Sequence, residues 1–274
     1  VRVAILQMNA GIDPARNRET LVTAVHNAAA GGAAMLFTPE MSGLLDQDRT
    51  RSEAALATED EDETLRAVRE AAQASGLWVH LGSLALRDLE TGKRFNRGFV
   101  IDAAGEIRAR YDKIHLFDVD LTSGERWRES SVYESGQEAV LAQTPLGKIG
   151  LTICYDLRFP DLFRALSNAG ADIISVPAAF TVPTGEAHWH VLMRARAIES
   201  AAFVIASAQC GLHEDGRRTY GHSLVVDPWG TVLLDAGEAP GLYFADLDLD
   251  RIAEVRSKIP VLAHRKSIQD VVLS

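Results

Sequence analysis

Two periodicities alternate along the chain. Apolar residues at every second position mark "VRVAILQM", from Val1, as a strand, and the next segment switches to helical spacing, with Leu21, Val25 and Ala28 on one face. Asp13 and Pro14 offer that helix a side-chain cap and a residue preset for its first turn, and Gly31-Gly32 ends it. A strand "AAMLFTPE" (33–40) follows, then an acid-opened helix carrying Leu65, Val68 and Ala72. The strand "LWVHLGS" (77–83) comes next, and "FVIDAAGEIRARY" (99–111) is a hairpin turning at a glycine.

The second half runs through the same order. "KIGLTICYD" (148–156) is a strand, "PDLFRALSNAG" (160–170) a helix and "ADIISVPAAF" (171–180) a strand. A helix passes through "HWHVLMRARAIES" (188–200), "AFVIASAQC" (202–210) is a strand, and "LVVDPWGTVLLDA" (224–236) is a hairpin. Both hairpins carry hydrophobic–Asp–x–x–Gly in matching slots, starting at Val100 and Val225. The repeat predicts a single α/β domain, 1–274, of two related halves. Each half would give a mixed sheet with helices outside, and face-to-face packing would bury both sets of strands. A short helix "DRIAEVRSKIP" (250–260) and a tail from about 261 to 274 complete the reading.

Composition narrows the partners. The 274 residues are 47% hydrophobic, enough for one large core, and no run reaches the apolar length of a membrane span. The first residues lack a signal peptide's basic region, and two cysteines cannot build a disulfide framework, so a cytoplasmic protein is expected. A net charge of −10 without any basic run argues against nucleic acid.

The chemistry gathers at strand ends. Cys154 stands where the apolar run of "GLTICYDLRFP" stops, Glu40 ends "AAMLFTPE", and Lys113 in "RYDKIHLFD" follows the first hairpin. Strands running the same way deliver such residues to one rim of a sheet. Each alone has a structural explanation: a packed thiol, a capping acid, a solvated lysine. Together they form a complete set for attack on a carbonyl. Glu40 would take the thiol proton, the Cys154 thiolate would attack, and Lys113 would meet the oxyanion, with the Tyr155 backbone N–H as a second donor. Glu129 in "RWRES" could hold the lysine. His115 or His188 could instead pair with the cysteine, although neither spacing marks it. His188 and His190 sit two apart on a helix and face apart, and no CxxC, HExxH, P-loop or GxGxxG motif appears, so no metal and no cofactor are expected. Cys210 reads as packing.

The segments "FTPEMS", "YDKIHLFDVD", "GLTICYDLRFPDLFR", "PAAFTVPTGEAHWHVLMRARAIES" and "YGHSLVVDPWGTV" together resemble the nitrilase superfamily of carbon–nitrogen hydrolases, in order and over nearly the whole chain. The resemblance implies a four-layer αββα sandwich of two similar halves. It implies a Glu40–Lys113–Cys154 triad with Glu129 as an additional active-site glutamate, and a small-molecule amide as substrate. "CYDLRFP" looks like the amidase branch rather than the true nitrilases, and the chain is most similar to the deaminated glutathione amidases, with the omega-amidases next. In both groups the substrate is a short acid. By the same resemblance Arg158 would grip its carboxylate, with Phe180 and Thr184 lining the pocket. His190 stands where relatives often carry glutamate, which bears on the pocket's far wall. A homodimer or larger assembly is implied, paired through 160–170 with Leu162, Phe163 and Leu166 as its apolar surface. An inert scaffold on the same fold, an acyltransferase and a carbamoylase are the competing functions.

Overall fold

The computed structural model describes residues 1–120, 126–268 and 272–273. The first half contains β1 (Arg2–Gln7), α1 (Pro14–Ala30), β2 (Met35–Phe37), α2 (Arg49–Ala55), α3 (Glu63–Ser75), β3 (Trp78–Arg87), β4 (Arg94–Ile101) and β5 (Ile107–Asp112). A connecting stretch holds the small hairpin β6 (Asp118–Asp120) and β7 (Arg126–Arg128). The second half contains β8 (Leu141–Thr144), β9 (Gly147–Leu151), α4 (Pro160–Asn168), β10 (Ile173–Ser175), α5 (Val182–Ser200), β11 (Phe203–Ala206), β12 (Cys210–Leu212), β13 (Arg218–Tyr220), β14 (Leu224–Val226) and β15 (Val232–Asp235). The last elements are β16 (Gly241–Asp246), α6 (Asp250–Lys258) and α7 (Val261–His264).

Strand alternation sorts the layers. The first sheet has the order β16-β1-β2-β3-β4-β5 and the second β15-β14-β11-β10-β9-β8. In β1, Ala4 and Leu6 face outward with Leu21 and Val25 of α1 and Leu65 and Val68 of α3. Val3 and Ile5 face the other way, into a core shared with Ile149 and Leu151 of β9, Ile173 of β10 and Val204 of β11. Leu162, Phe163 and Leu166 of α4 and Trp189, Met193 and Ala197 of α5 cover the second sheet. The result is the αββα sandwich expected from the repeat. The expected dimer surface on α4 needs correction, because Leu162, Phe163 and Leu166 are all buried in their own core. Their side chains lie on the helix face turned toward the sheet, leaving the polar Asp161 and Arg164 exposed.

Local signals explain why the helices start where they do. Asp13 Oδ1 accepts the Ala15 N–H at 2.9 Å, and Asp62 Oδ1 accepts the Leu65 N–H at 2.7 Å. The strands are shorter than the hydrophobic runs: 33–40 supplies only Met35–Phe37, and Thr38 to Glu40 leave the ladder and turn toward the second sheet. Gly82 permits that departure. A Cβ there would stand 2.1 Å from the Thr38 carbonyl oxygen and 2.5 Å from that of Pro39. The β3–β4 register shifts at this point, between Leu81 and Leu84, and Ser83 Oγ turns to accept the Met41 N–H at 2.9 Å.

One polar side chain bridges the two sheets. His80 of β3 packs against Phe37 and brings Nε2 to 3.4 Å from Ser175 Oγ of β10. Burial pushes its pKa down to about 3, so the fold holds a neutral imidazole. The unfolded chain binds a proton below about pH 6.5 that the native state refuses. This stabilisation is therefore complete above pH 6.5 and is lost as the pH falls toward 3, at up to about 1.4 kcal/mol per pH unit. Urea unfolding should show stability falling by about 2–3 kcal/mol between pH 6.5 and 4.5 beyond the trend of a His80→Asn variant. Parallel pH trends in the two proteins would place the acid sensitivity elsewhere.

Candidate active site

Glu40, Lys113, Glu129 and Cys154 line one cavity of about 300 Å³ at the rim where the two sheets meet. Four separate chain segments deliver them. Glu40 follows the departing end of β2. Its Oε2 accepts the Ala179 N–H at 2.8 Å, and its carbonyl oxygen accepts from Gln209 Nε2 at 3.0 Å. Lys113 directly follows β5, its N–H donated to the Asn96 carbonyl at 3.0 Å. Glu129 follows β7 and accepts the Phe117 N–H at 2.7 Å.

The lysine joins the two acids. Its Nζ lies 2.9 Å from Glu40 Oε1 and 2.9 and 3.1 Å from the two Glu129 oxygens, with all three side chains largely or wholly shut from water. Asn96 of β4 spans the same pair, donating Nδ2–H to Glu40 Oε1 at 2.9 Å and lying 3.3 Å from Glu129 Oε1. Alternation along "RFNRG" gives an asparagine no distinguishing mark. Its position became visible only when β4 was paired beside β3 and β5.

Cys154 opens a 3-10 turn, Cys154–Arg158, instead of extending β9. Its φ of +48° is a left-handed conformation that non-glycine residues rarely adopt, and Met41, next to Glu40, has the same feature at +56°. The Cys154 N–H is fixed on the Pro177 carbonyl at 2.9 Å. Asp156, fully buried two residues on, holds the bend. It accepts the Ile153 N–H at 2.8 Å, the Tyr111 hydroxyl at 2.7 Å and the His115 N–H at 3.0 Å. Tyr111 and His115 flank Lys113, so one carboxylate ties the cysteine's turn to the lysine's segment. His115, weighed as a partner for the thiol, is committed to Asp156 at 2.7 Å and stacked on Phe159.

Electrostatics assigns the resting protons. Burial raises the Cys154 pKa, and the neighbouring Glu40 carboxylate raises it further than Lys113 can offset, so the thiol rests protonated. Burial alone would raise Glu40 too, but the Lys113 ammonium outweighs it, with help from the Ala179 N–H, and holds the carboxyl ionised. Burial disfavours the Lys113 charge, yet Glu129 and Glu40 together keep its pKa well above the ordinary value. A buried base, a protonated thiol and a fixed cation therefore meet in one site.

Among the residues expected to bind substrate, Tyr155, Phe180 and Thr184 line the cavity. Arg158 does not. Its guanidinium lies 5.4 Å over the Phe180 ring, and Nη1 is 3.3 Å from His188 Nδ1. Four residues of sequence spacing do not set a direction, and the 3-10 turn points Arg158 at α5. His190 also lies off the cavity wall. Its Nε2 is 2.9 Å from Asp235 Oδ2, and His222 Nδ1 is 2.8 Å from Asp235 Oδ1. These three side chains could hold a metal, their ligand atoms all lying within 4.8 Å of one another. The expectation of no metal rested on absent motifs and on the spacing of His188 and His190 along the chain, whereas this group is brought together from separate stretches of the chain.

The comparisons agree with this architecture. Residues 2–257 match the family model described as carbon–nitrogen hydrolase. Among curated relatives, the deaminated glutathione amidase of Bos taurus is 41% identical over 271 residues, covering 96% of this chain and 81% of that one. The deaminated glutathione amidase of Yersinia enterocolitica is 44% identical over 207 residues, 75% of this chain and 72% of its own. Among solved structures, Saccharomyces cerevisiae Nit3, described as a member of branch 10 of the nitrilase superfamily, superposes with a TM-score of 0.85 at 27% identity, covering 95% of this chain and 94% of that one. No helix among the described residues is long and apolar enough to cross a membrane. From the family match, the relatives and the shared fold together, the chain belongs to the carbon–nitrogen hydrolase family and is an enzyme that acts on amides.

Proposed function

We propose that Cys154, Glu40 and Lys113 cleave a linear amide through a covalent thioester, and that the substrate is deaminated glutathione, a 2-oxoglutaramyl unit amide-linked to Cys-Gly. The observation carrying the mechanism is the Lys113 ammonium, held between Glu40 and Glu129 beside the thiol. Glu40 takes the Sγ proton as the sulfur attacks the carbonyl carbon. The oxyanion is met by Lys113 Nζ and the Tyr155 N–H, and one such donor is worth about 3 kcal/mol. Glu40 returns the proton to the leaving amine as the C–N bond breaks, then activates the water that hydrolyses the thioester. Glu129 keeps the lysine charged and aimed. The positive charge at the oxyanion comes from Lys113, so the mechanism calls on no metal ion and no cofactor.

The substrate assignment rests on the names of the relatives and on the arginines that line the cavity. We place the enzyme in the cytoplasm, as a single domain. Its homodimer surface moves from α4 to α5, where Val191 and Ile198 are exposed and Ile198 lies against Gly230, and light scattering reads whether the dimer forms. A panel of short amides, assayed for released amine or ammonia, tests the function. Deaminated glutathione should be hydrolysed with a kcat/KM at least about tenfold above 2-oxoglutaramate, the discrimination that about 1.4 kcal/mol of leaving-group contact supplies. The reverse order would make the enzyme an omega-amidase, and no turnover on any amide would leave a scaffold.

A further inference from the structure

Six arginines line the cavity, and their surroundings differ. Arg94 is held by Glu53 at 2.7 Å and Arg49 by Ser131 Oγ at 2.8 Å. Arg128 lies 2.8 Å from Asp120, and Arg126 and Arg218 are exposed, so water meets their charge. Arg217 is different. Among the described residues its nearest carboxylate is Asp215, at 3.5 Å, and that carboxylate accepts closer bonds from the backbone N–H groups of Gln47 and Arg217, each at 2.9 Å. Asp46, which also senses Arg217, is gripped at two points by Arg51, at 2.7 and 2.8 Å. The Arg217 side chain is only 17% exposed, and its guanidinium carbon lies 4.8 Å over the Trp127 ring. Arg217 Nε and Trp127 Nε1 are both buried donors without a partner. With Nε buried, a ligand in the cavity would meet this cation through its Nη groups, of which Nη2 lies 3.5 Å from Asp215.

A charge placed so asks for an anion, because a half-buried guanidinium without a close acceptor is costly. Its distance from the nucleophile says which anion. Tyr155, adjacent to Cys154, meets Phe117 edge-on at 5.0 Å; Phe117 meets Trp127 at 6.2 Å; and Trp127 carries Arg217. The guanidinium thus lies several side chains from the scissile bond, along a wall of aromatic rings. A planar guanidinium suits two-point binding of a carboxylate.

We propose that Arg217, stacked on Trp127 with Arg218 beside it at the cavity wall, anchors a carboxylate carried by the leaving amine. This rests on the dipeptidyl amide reading above, in which the glycine carboxylate lies several bonds beyond the nitrogen released. The subsite separates amides with an acidic amine portion from those that release ammonia.

The test compares wild type, Arg217→Gln and Arg217→Lys on deaminated glutathione, on the same compound with its glycine carboxylate converted to an amide, and on 2-oxoglutaramate. Arg217→Gln should lower kcat/KM for the acid about 30-fold or more, chiefly through KM, because the contact is remote from the bond that breaks. The carboxamide analogue and 2-oxoglutaramate should change less than about threefold, as neither uses the contact. Arg217→Lys should recover part of the loss for the acid alone, which a damaged fold could not do. Equal losses on all three substrates, or an unchanged ratio of acid to carboxamide, would overturn the subsite while leaving the amidase reading standing. If wild type turns over 2-oxoglutaramate but neither dipeptidyl amide, the substrate reading fails and takes the subsite with it.

Discussion

Cys154→Ala should lower amide turnover by at least about 10⁴-fold while leaving the protein folded. Lys113 can polarise a bound carbonyl and Glu40 can activate a water without the sulfur, but no bond then forms to the enzyme and the two-step route is closed. Cys154→Ser should be nearly as inactive. Its hydroxyl is far harder to ionise than a thiol, and a Glu40 held ionised by Lys113 is a weak base. Both variants retain a non-glycine residue at φ +48°, so neither adds backbone strain, and thermal unfolding should move little. A slow amide should leave an acyl mass on wild type and none on Cys154→Ala. Cys210→Ala is the control: this buried thiol, its pKa raised to about 11 by desolvation, lies off the cavity and should be dispensable. Ordinary turnover in Cys154→Ala would end the covalent mechanism.

The cysteine was legible in the sequence because apolar alternation has no use for a reactive group at its end, and Glu40 and Lys113 share that oddity. Helices α1 and α3 were legible from their opening acids and apolar faces, and α4 from Pro160 and its apolar face. The seven residues of α2 were not, since "RTRSEAA" has no apolar stripe to announce it. Asn96 and Asp156 escaped for a different reason. Their roles depend on partners from other elements, and a buried polar residue looks in sequence like an exposed one. Arg158 was named from the resemblance, and its direction is set by a 3-10 turn that the sequence does not announce. Arg217 went unremarked in "EDGRRTYG" because a loop arginine is ordinarily a solvated one.

Lys113→Met should remove both activity and much of the stability. The ammonium is the close counter-charge of two buried carboxylates, and deleting one side of such a group costs about 3–5 kcal/mol. Glu40 and Glu129, still bridged by Asn96, would then share a proton, and Glu40 would stop serving as a base near neutrality. With the oxyanion donor also gone, kcat/KM should fall by about 10³-fold or more. The two losses can be separated. Adding Glu129→Gln to Lys113→Met removes the excess charge and should restore part of the unfolding free energy, with no recovery of turnover. The pH profile gives a further reading. Glu40 must be ionised to act, and Lys113 holds its pKa below the ordinary 4.5, so the wild-type rate should fall only below that range, while residual activity in the variant should fall at higher pH. A variant within tenfold of wild type, with unchanged stability, would remove Lys113 from the mechanism.

The pairing of β16 with β1 has a consequence for how the chain is made. Arg2 to Gln7 lie beside Asp246 to Gly241 in antiparallel register, and the Leu247 N–H reaches the Val1 carbonyl at 2.8 Å. Strand β1 therefore finds one of its two neighbours only after some 240 further residues have been synthesised. Until then the nascent first half carries β1 as a bare edge, open to pairing with another chain. Closing so long a loop late places this fold among the slow ones. It also makes the nascent first half, rather than the finished enzyme, the form most in need of a chaperone.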